Sequence, residues 1–263
     1  MKQILFLFLL QIAHVSAQSK NITLLDNWQD TSLMSNSSQV RYSGLWTFSK
    51  GNDEYAVIGT TEGAAFLRLM ENSELLFIDS IQGNYASSQA ITREYKRYQN
   101  YIYAIGDEGD ASLQIIDISY LPDSVTLANE VQDERVGKAH TIHIDSVNAL
   151  LYLCSVTPIV NGQALGLVPL RVFSLDNPLE PVLLWEGFED LAEVHDMELR
   201  DQIAILNCGF DGIRVYDFST PAAPIYLSNL EFYQNQGYNH QGSLSPDMST
   251  YVFADETPGT RIK

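Results

Sequence analysis

One phrase recurs four times along the chain: a short strand, a Gly-containing turn, a strand ending near Asp, and a Pro-bearing turn. The clearest copy runs from Asp196 to Leu230 and contains IAILNC and IRVYDFSTPAAP. Looser copies hold LQIIDIS at Leu113–Ser119 and LRVFSLDNPLEP at Leu170–Pro181, and the most degenerate holds FLRLMEN at Phe66–Asn72. Each copy reads as four short strands, and repeats of about this length are the mark of a β-propeller. The fold class expected is therefore all-β, a propeller of four-stranded blades. Such a scaffold carries many unrelated activities, so the architecture alone does not name one.

Each repeat opens on a strand expected to line the central channel. Trp46, Arg93, His140, His195 and His240 take comparable opening positions, at spacings of 47, 47, 55 and 45 residues. The long third interval predicts a protruding loop around Thr157–Gly166, where Pro, Asn and Gly gather. The second strands read YAVIG, YIYAIG, LLYLCS, IAILNC and TYVFAD. Nearly continuous apolar runs of this kind suit strands buried on both faces. Asp117 and Asp217 close the third strands ahead of Pro122 and Pro221, and Ser174 stands in the equivalent place. Such side chains bond nearby backbone amides, so all three are read as turn residues.

The ends of the chain carry separate signals. Met1 and Lys2, the apolar run Ile4–Leu10 and Val15-Ser16-Ala17 predict a secretory leader over residues 1–17, with the propeller in 18–263. The apolar run is too short to span a bilayer. A secreted, periplasmic or cell-surface location follows, with no transmembrane segment in the mature chain. NITLLDNW, near the mature start, resembles an outer fourth strand. The fifth repeat stops at Arg261-Ile262-Lys263, where a third strand is expected to begin, so the chain reads as a C-terminally truncated fragment of four blades and part of a fifth.

The formal charge is -18, and cleavage of the leader removes Lys2 and deepens it by one. So acidic a chain repels nucleic acid and anionic membrane, which excludes both as partners. Cys154 and Cys208 are the only cysteines. Two readings are open: a bridge between adjacent blades in an oxidising compartment, or two buried free thiols.

The IRVYDFSTPAAP phrase resembles the LVIVD repeat, and the ordered openings resemble the choice-of-anchor B family of bacterial surface and secreted proteins. The residues that carry this are SGLW at Ser43–Trp46, Arg93-Glu94, AHTIHI at Ala139–Ile144, VHD at Val194–Asp196, YNHQG at Tyr238–Gly242 and ADE at Ala254–Glu256. The resemblance implies a propeller of about seven blades when complete and transfers no biochemical activity. The chain departs from the family in having Arg93-Glu94 where an Arg-Asp pair is common, and Thr141 after His140. It also lacks extra cysteines that several members carry, which puts any shared disulfide scheme in doubt.

The openings converge on one mouth of the channel, which makes Trp46, Arg93, Glu94, His140, His195, Asp196, His240, Gln241 and Glu256 the candidate binding residues. His140, His195 and His240 are the candidate metal ligands, since imidazole binds zinc, copper or iron, with Asp196 and Glu256 as carboxylates and Arg93 as an anion holder. The same side chains are equally suited to satisfying backbone groups between blades. His143 lies three residues past His140, on the opposite face of a strand, and is left out of the set. GDEGD at Gly106–Asp110 and GFDG at Gly209–Gly212 lack the spacing of a calcium loop and read as turns. Tyr95, Tyr98, Tyr101 and Tyr103 suit either a binding surface or strand packing. There is no G-x-S-x-G, P-loop or H-E-x-x-H. With no complete catalytic constellation, the residues point to a non-enzymatic exported scaffold that binds a protein or glycan. The alternative is a hydrolase using a divalent metal at the histidine-lined mouth.

Overall fold

The computed structural model describes residues 22–263 except Glu189; the leader expected over residues 1–17 lies outside the described residues. All the regular structure described is β. Blade 1 is β1 (Tyr42–Lys50), β2 (Asp53–Thr60), β3 (Gly63–Leu69) and β4 (Leu75–Gln82). Blade 2 is β5 (Arg93–Tyr98), β6 (Tyr101–Gly106), β7 (Leu113–Asp117) and β8 (Thr126–Val131). Blade 3 holds β10 (Thr141–Asp145), β11 (Leu150–Val160), β13 (Val168–Ser174) and β14 (Val182–Gly187), with the two-residue strands β9 (Gly137–Lys138) and β12 (Gln163–Ala164) on β11. Blade 4 is β15 (Asp196–Arg200), β16 (Ile203–Asn207), β17 (Ile213–Asp217) and β18 (Ile225–Leu230). A two-stranded sheet follows, β19 (Asn239–Leu244) with β20 (Tyr251–Asp255). Each complete blade is an antiparallel meander, and successive first strands lie side by side, as in a β-propeller.

The apolar runs have a specific cause. Side chains alternate along a strand, and in β11 Leu151 and Leu153 pack with Tyr103, Ile105 and Ile115 of blade 2, whereas Leu150, Tyr152 and Cys154 pack with Met197, Ala204 and Leu206 of blade 4. The same division holds in β6, where Ile102 and Ala104 face blade 1 and Tyr103 and Ile105 face blade 3. The core therefore sits between blades rather than within them. Both cysteines fall in the interface of blades 3 and 4 as free thiols, and burial raises both, Cys208 to about 12. The tyrosine patch is core as well: Tyr95 is buried between blades 1 and 2, and Tyr98 and Tyr103 between blades 2 and 3, where Tyr101 packs against them.

The turns follow their side chains. Asp117 Oδ1 accepts from Ser119 N, Asp217 Oδ1 from Ser219 N, each at 2.7 Å, and Ser174 Oγ accepts from Asp176 N at 3.0 Å. In all four blades the outer strand carries one extra residue where it pairs with the third: Ile78, Ala128, Leu184 and Leu227. Each is a β-bulge that bends the outer strand and increases its twist.

Two segments differ from expectation. Residues 157–166, expected as a protruding loop, form a hairpin, because Asn161 and Gly162 both have positive φ (52° and 74°). That pairing of angles is the two-residue turn whose twist matches antiparallel strands. Residues 22–28 form no strand; they lie on blade 1, where Asp26 accepts from Leu75 N at 2.7 Å and Trp28 stacks on Phe77. Beyond β20, Lys263 exchanges both backbone hydrogen bonds with Phe253, in the place a third strand takes in the other blades. No helix of the described residues is long and apolar enough to cross a membrane.

Candidate functional site

The first strands end their hairpins at Tyr98, Asp145 and Arg200. Counting back to the other end of each places Arg93, His140 and His195 at one level, the mouth. His140 N donates to Cys154 O and His195 N to Asn207 O, so each histidine is fixed to its own blade. Blade 3 also holds blade 4 in place: Thr141 Oγ1 donates to His195 O at 3.0 Å and Ser155 Oγ to Val194 O at 2.9 Å. His240 is the extra residue of a bulge, since Asn239 pairs with Asp255 while Gln241 pairs with Ala254. A bulge re-aims its side chain, and here the ring lies beside His195.

The three imidazoles form a row, with centroids 4.1 Å apart from His140 to His195 and 4.3 Å from His195 to His240. His140 Nδ1 donates to Asp107 Oδ2 at 2.8 Å, and that bond raises its pKa above the ordinary value of 6.5. His195 Nδ1 faces the carbonyl of His240 at 3.1 Å. Burial, and then the neighbouring His140 and His240, lower His195 to about 4, so it is neutral at pH 7. His240 Nε2 lies 3.5 Å from Glu256 Oε2. Tyr238 packs edge-on against His195, with burial and a hydrogen bond to Glu193 raising its pKa. Gly209 is required beneath them: its φ is +56°, and a Cβ there would stand 2.7 Å from the Tyr238 ring and 2.9 Å from Glu193 Oε1.

A second tier lies deeper. His143 Nε2 donates to Asp196 Oδ1 at 2.8 Å. Burial works against ionising Asp196, but that bond and the charge of His143 outweigh it and hold the carboxyl below its usual range. Glu94 accepts from Ile142 N at 3.2 Å, and burial raises its pKa. Further along, Trp46, Lys96, His143, Glu198 and Arg200 line a cavity of about 450 Å³, with the Lys96 ammonium 4.3 Å over the Trp46 ring.

The candidates thus separate. His140, His195, His240 and Glu256 come together at the mouth, whereas Glu94 and Asp196 lie beneath them. Trp46 is not at the mouth: it stands four residues back from the hairpin end at Lys50, where the openings stand five, and so shares the register of Glu94 and Asp196. Arg93 is buried, and its Nε and Nη2 donate to the carbonyls of Thr60 (2.8 Å) and Tyr85 (2.6 Å), so it ties blade 2 to blade 1. Gln241 is exposed on β19. His143, left out of the candidate set, reaches a candidate carboxylate, Asp196. Asp107, Glu193 and Tyr238 complete the mouth without having been singled out as site residues. Asp107 was legible in principle, for it occupies in blade 2 the register position of Glu256 beside β20.

No family model and no curated protein matches the sequence. Solved structures share the fold. A functionally unknown protein from Desulfotomaculum acetoxidans is similar at TM-score 0.60 and 9% identity, over 82% of this chain and 63% of its own. The Pseudomonas aeruginosa periplasmic gluconolactonase PpgL is similar at TM-score 0.56 and 12% identity, over 84% and 63%. The chain therefore spans less than two thirds of the length of either structure. At these identities the likeness establishes the propeller fold and leaves activity open.

Proposed function

We propose that the protein is an exported β-propeller of the choice-of-anchor B type whose histidine-lined mouth binds an extracellular protein or glycan. The observation that carries this reading is the convergence of polar side chains from four sheets, Asp107, His140, Glu193, His195, Tyr238 and His240, on one end of the channel. Aromatic and hydrogen-bonding groups of this kind fix the orientation of a ligand. Both thiols are buried and raised, which removes them as nucleophiles. Export is supported by the leader-like start of the sequence.

Glycan and peptide arrays probed with the purified chain test the reading. A specific binder is expected, with affinity falling at least about tenfold in Tyr238→Ala and unchanged in Leu76→Ser on the outer strand of blade 1. Binders that ignore the mouth variant, or no binders at all, overturn it. Hydrolysis is the second reading, favoured by the placing of two histidines beside one carboxylate. Turnover of simple esters, lost with Glu256→Gln, would put it first.

A further inference from the structure

A ring nitrogen of His195, a ring nitrogen of His240 and a carboxylate oxygen of Glu256 lie within 4.8 Å of one another. The 3.5 Å from His240 Nε2 to Glu256 Oε2 is close to the separation of two ligands on a tetrahedral ion, about 3.3 Å for bonds of about 2.0–2.1 Å. Tautomers favour the same reading. A carbonyl oxygen only accepts, so His195 Nδ1 carries the proton shared with His240 O, and Nε2 is left with the lone pair. A metal-binding histidine is oriented in this way, by giving its other N–H to a carbonyl or carboxylate.

We propose that His195, His240 and Glu256 form a divalent transition-metal site, with the fourth position open toward the mouth. Two histidines and one glutamate with an open position are the donor set of catalytic rather than structural zinc. The carboxylate comes from the exposed side, where Glu256 is 66% accessible, and the buried His195 comes from below. His140 is not a ligand in this arrangement. Its Nδ1 is held by Asp107, and it stands on the far side of His195 from His240. The site differs from a three-histidine site by exchanging His140 for Glu256, and it rests on the reading of the mouth as the functional face.

The experiment is calorimetric titration of the purified chain with ZnCl₂, alongside Co(II) absorption in the visible. One ion per chain and the intense bands of four-coordinate cobalt are expected. Glu256→Gln, on an exposed side chain that folding does not need, should weaken zinc at least about tenfold with an unchanged circular dichroism spectrum. His140→Ala should retain one ion. Absence of binding, wild-type affinity in Glu256→Gln, or loss in His140→Ala as large as in Glu256→Gln overturns the site. The two readings fail separately: a partner that binds the chelator-stripped chain undiminished supports the binding mouth without the metal, whereas zinc bound with no partner supports the metal alone.

Discussion

At the scale of single residues, the row of imidazoles makes the mouth responsive to acid. His195 has a folded-state pKa of about 4 against an ordinary 6.5. Between those values the unfolded chain takes up a proton that the folded chain refuses, so stability is lost as pH falls from about 6.5 to about 4. His140, raised by Asp107, works the other way: its support is complete below the ordinary pKa and fades as pH rises through its folded value. Urea unfolding at pH 7 and pH 4.5 should show His195→Asn to have lost on the order of 1–3 kcal/mol of the acid sensitivity of the parent. An equal pH dependence in both proteins would refute the assignment. Gly209→Ala forces a Cβ onto Tyr238 and Glu193 at positive φ and should cost about 1–3 kcal/mol, read from the urea midpoint. The three histidines were legible because repeats place equivalent residues at equivalent points. Trp46 misled because it stands one residue nearer its hairpin end than the true openings, in the register of Glu94 and Asp196. Asp107 was hidden inside a turn, where one acidic residue looks like any other. The bulge that aims His240 leaves no mark in the sequence.

At the scale of elements, the turn after the third strand is the most regular device in the molecule. Asp217→Ala and Asp117→Ala each remove a 2.7 Å bond to the amide two residues on, and each should lower the midpoint of chemical denaturation. Ser174→Ala should cost the same or less, since its bond is 3.0 Å long. A cost near zero at all three sites would mean that Pro and packing set the turn without them. These turns were readable because Asp, Ser and Pro act locally. The hairpin at residues 157–166 is as local, and Asn161-Gly162 is its signal, but the Pro, Asn and Gly gathered there read only as a protruding loop. The segment 22–28 resembles the outer strand IYLSNL, yet it lies on blade 1 through Asp26 and Trp28 and forms no ladder. That outcome depends on contacts far away in sequence, where pattern carries no information.

At the scale of the whole molecule, no blade owns a core. Every cluster is shared by two neighbours, so removing apolar volume from one strand weakens an interface rather than a blade. Leu153→Ala, fully buried between blades 2 and 3, should cost about 2–5 kcal/mol. Tryptophan fluorescence, from blades 1 and 3, and far-ultraviolet circular dichroism should still report one coincident transition. Two separated transitions would show that the interfaces break independently. The bulges recur on this scale too. Among the described residues no further strand pairs with any of the four outer strands, which carry exposed apolar side chains, among them Phe77, Leu127, Val182 and Ile225. A straight strand so furnished would template the next molecule, edge upon edge, into an aggregate. The single extra residue at Ile78, Ala128, Leu184 and Leu227 breaks the rhythm a docking strand would have to match. The rim can thus expose apolar side chains without offering a regular edge to a docking strand.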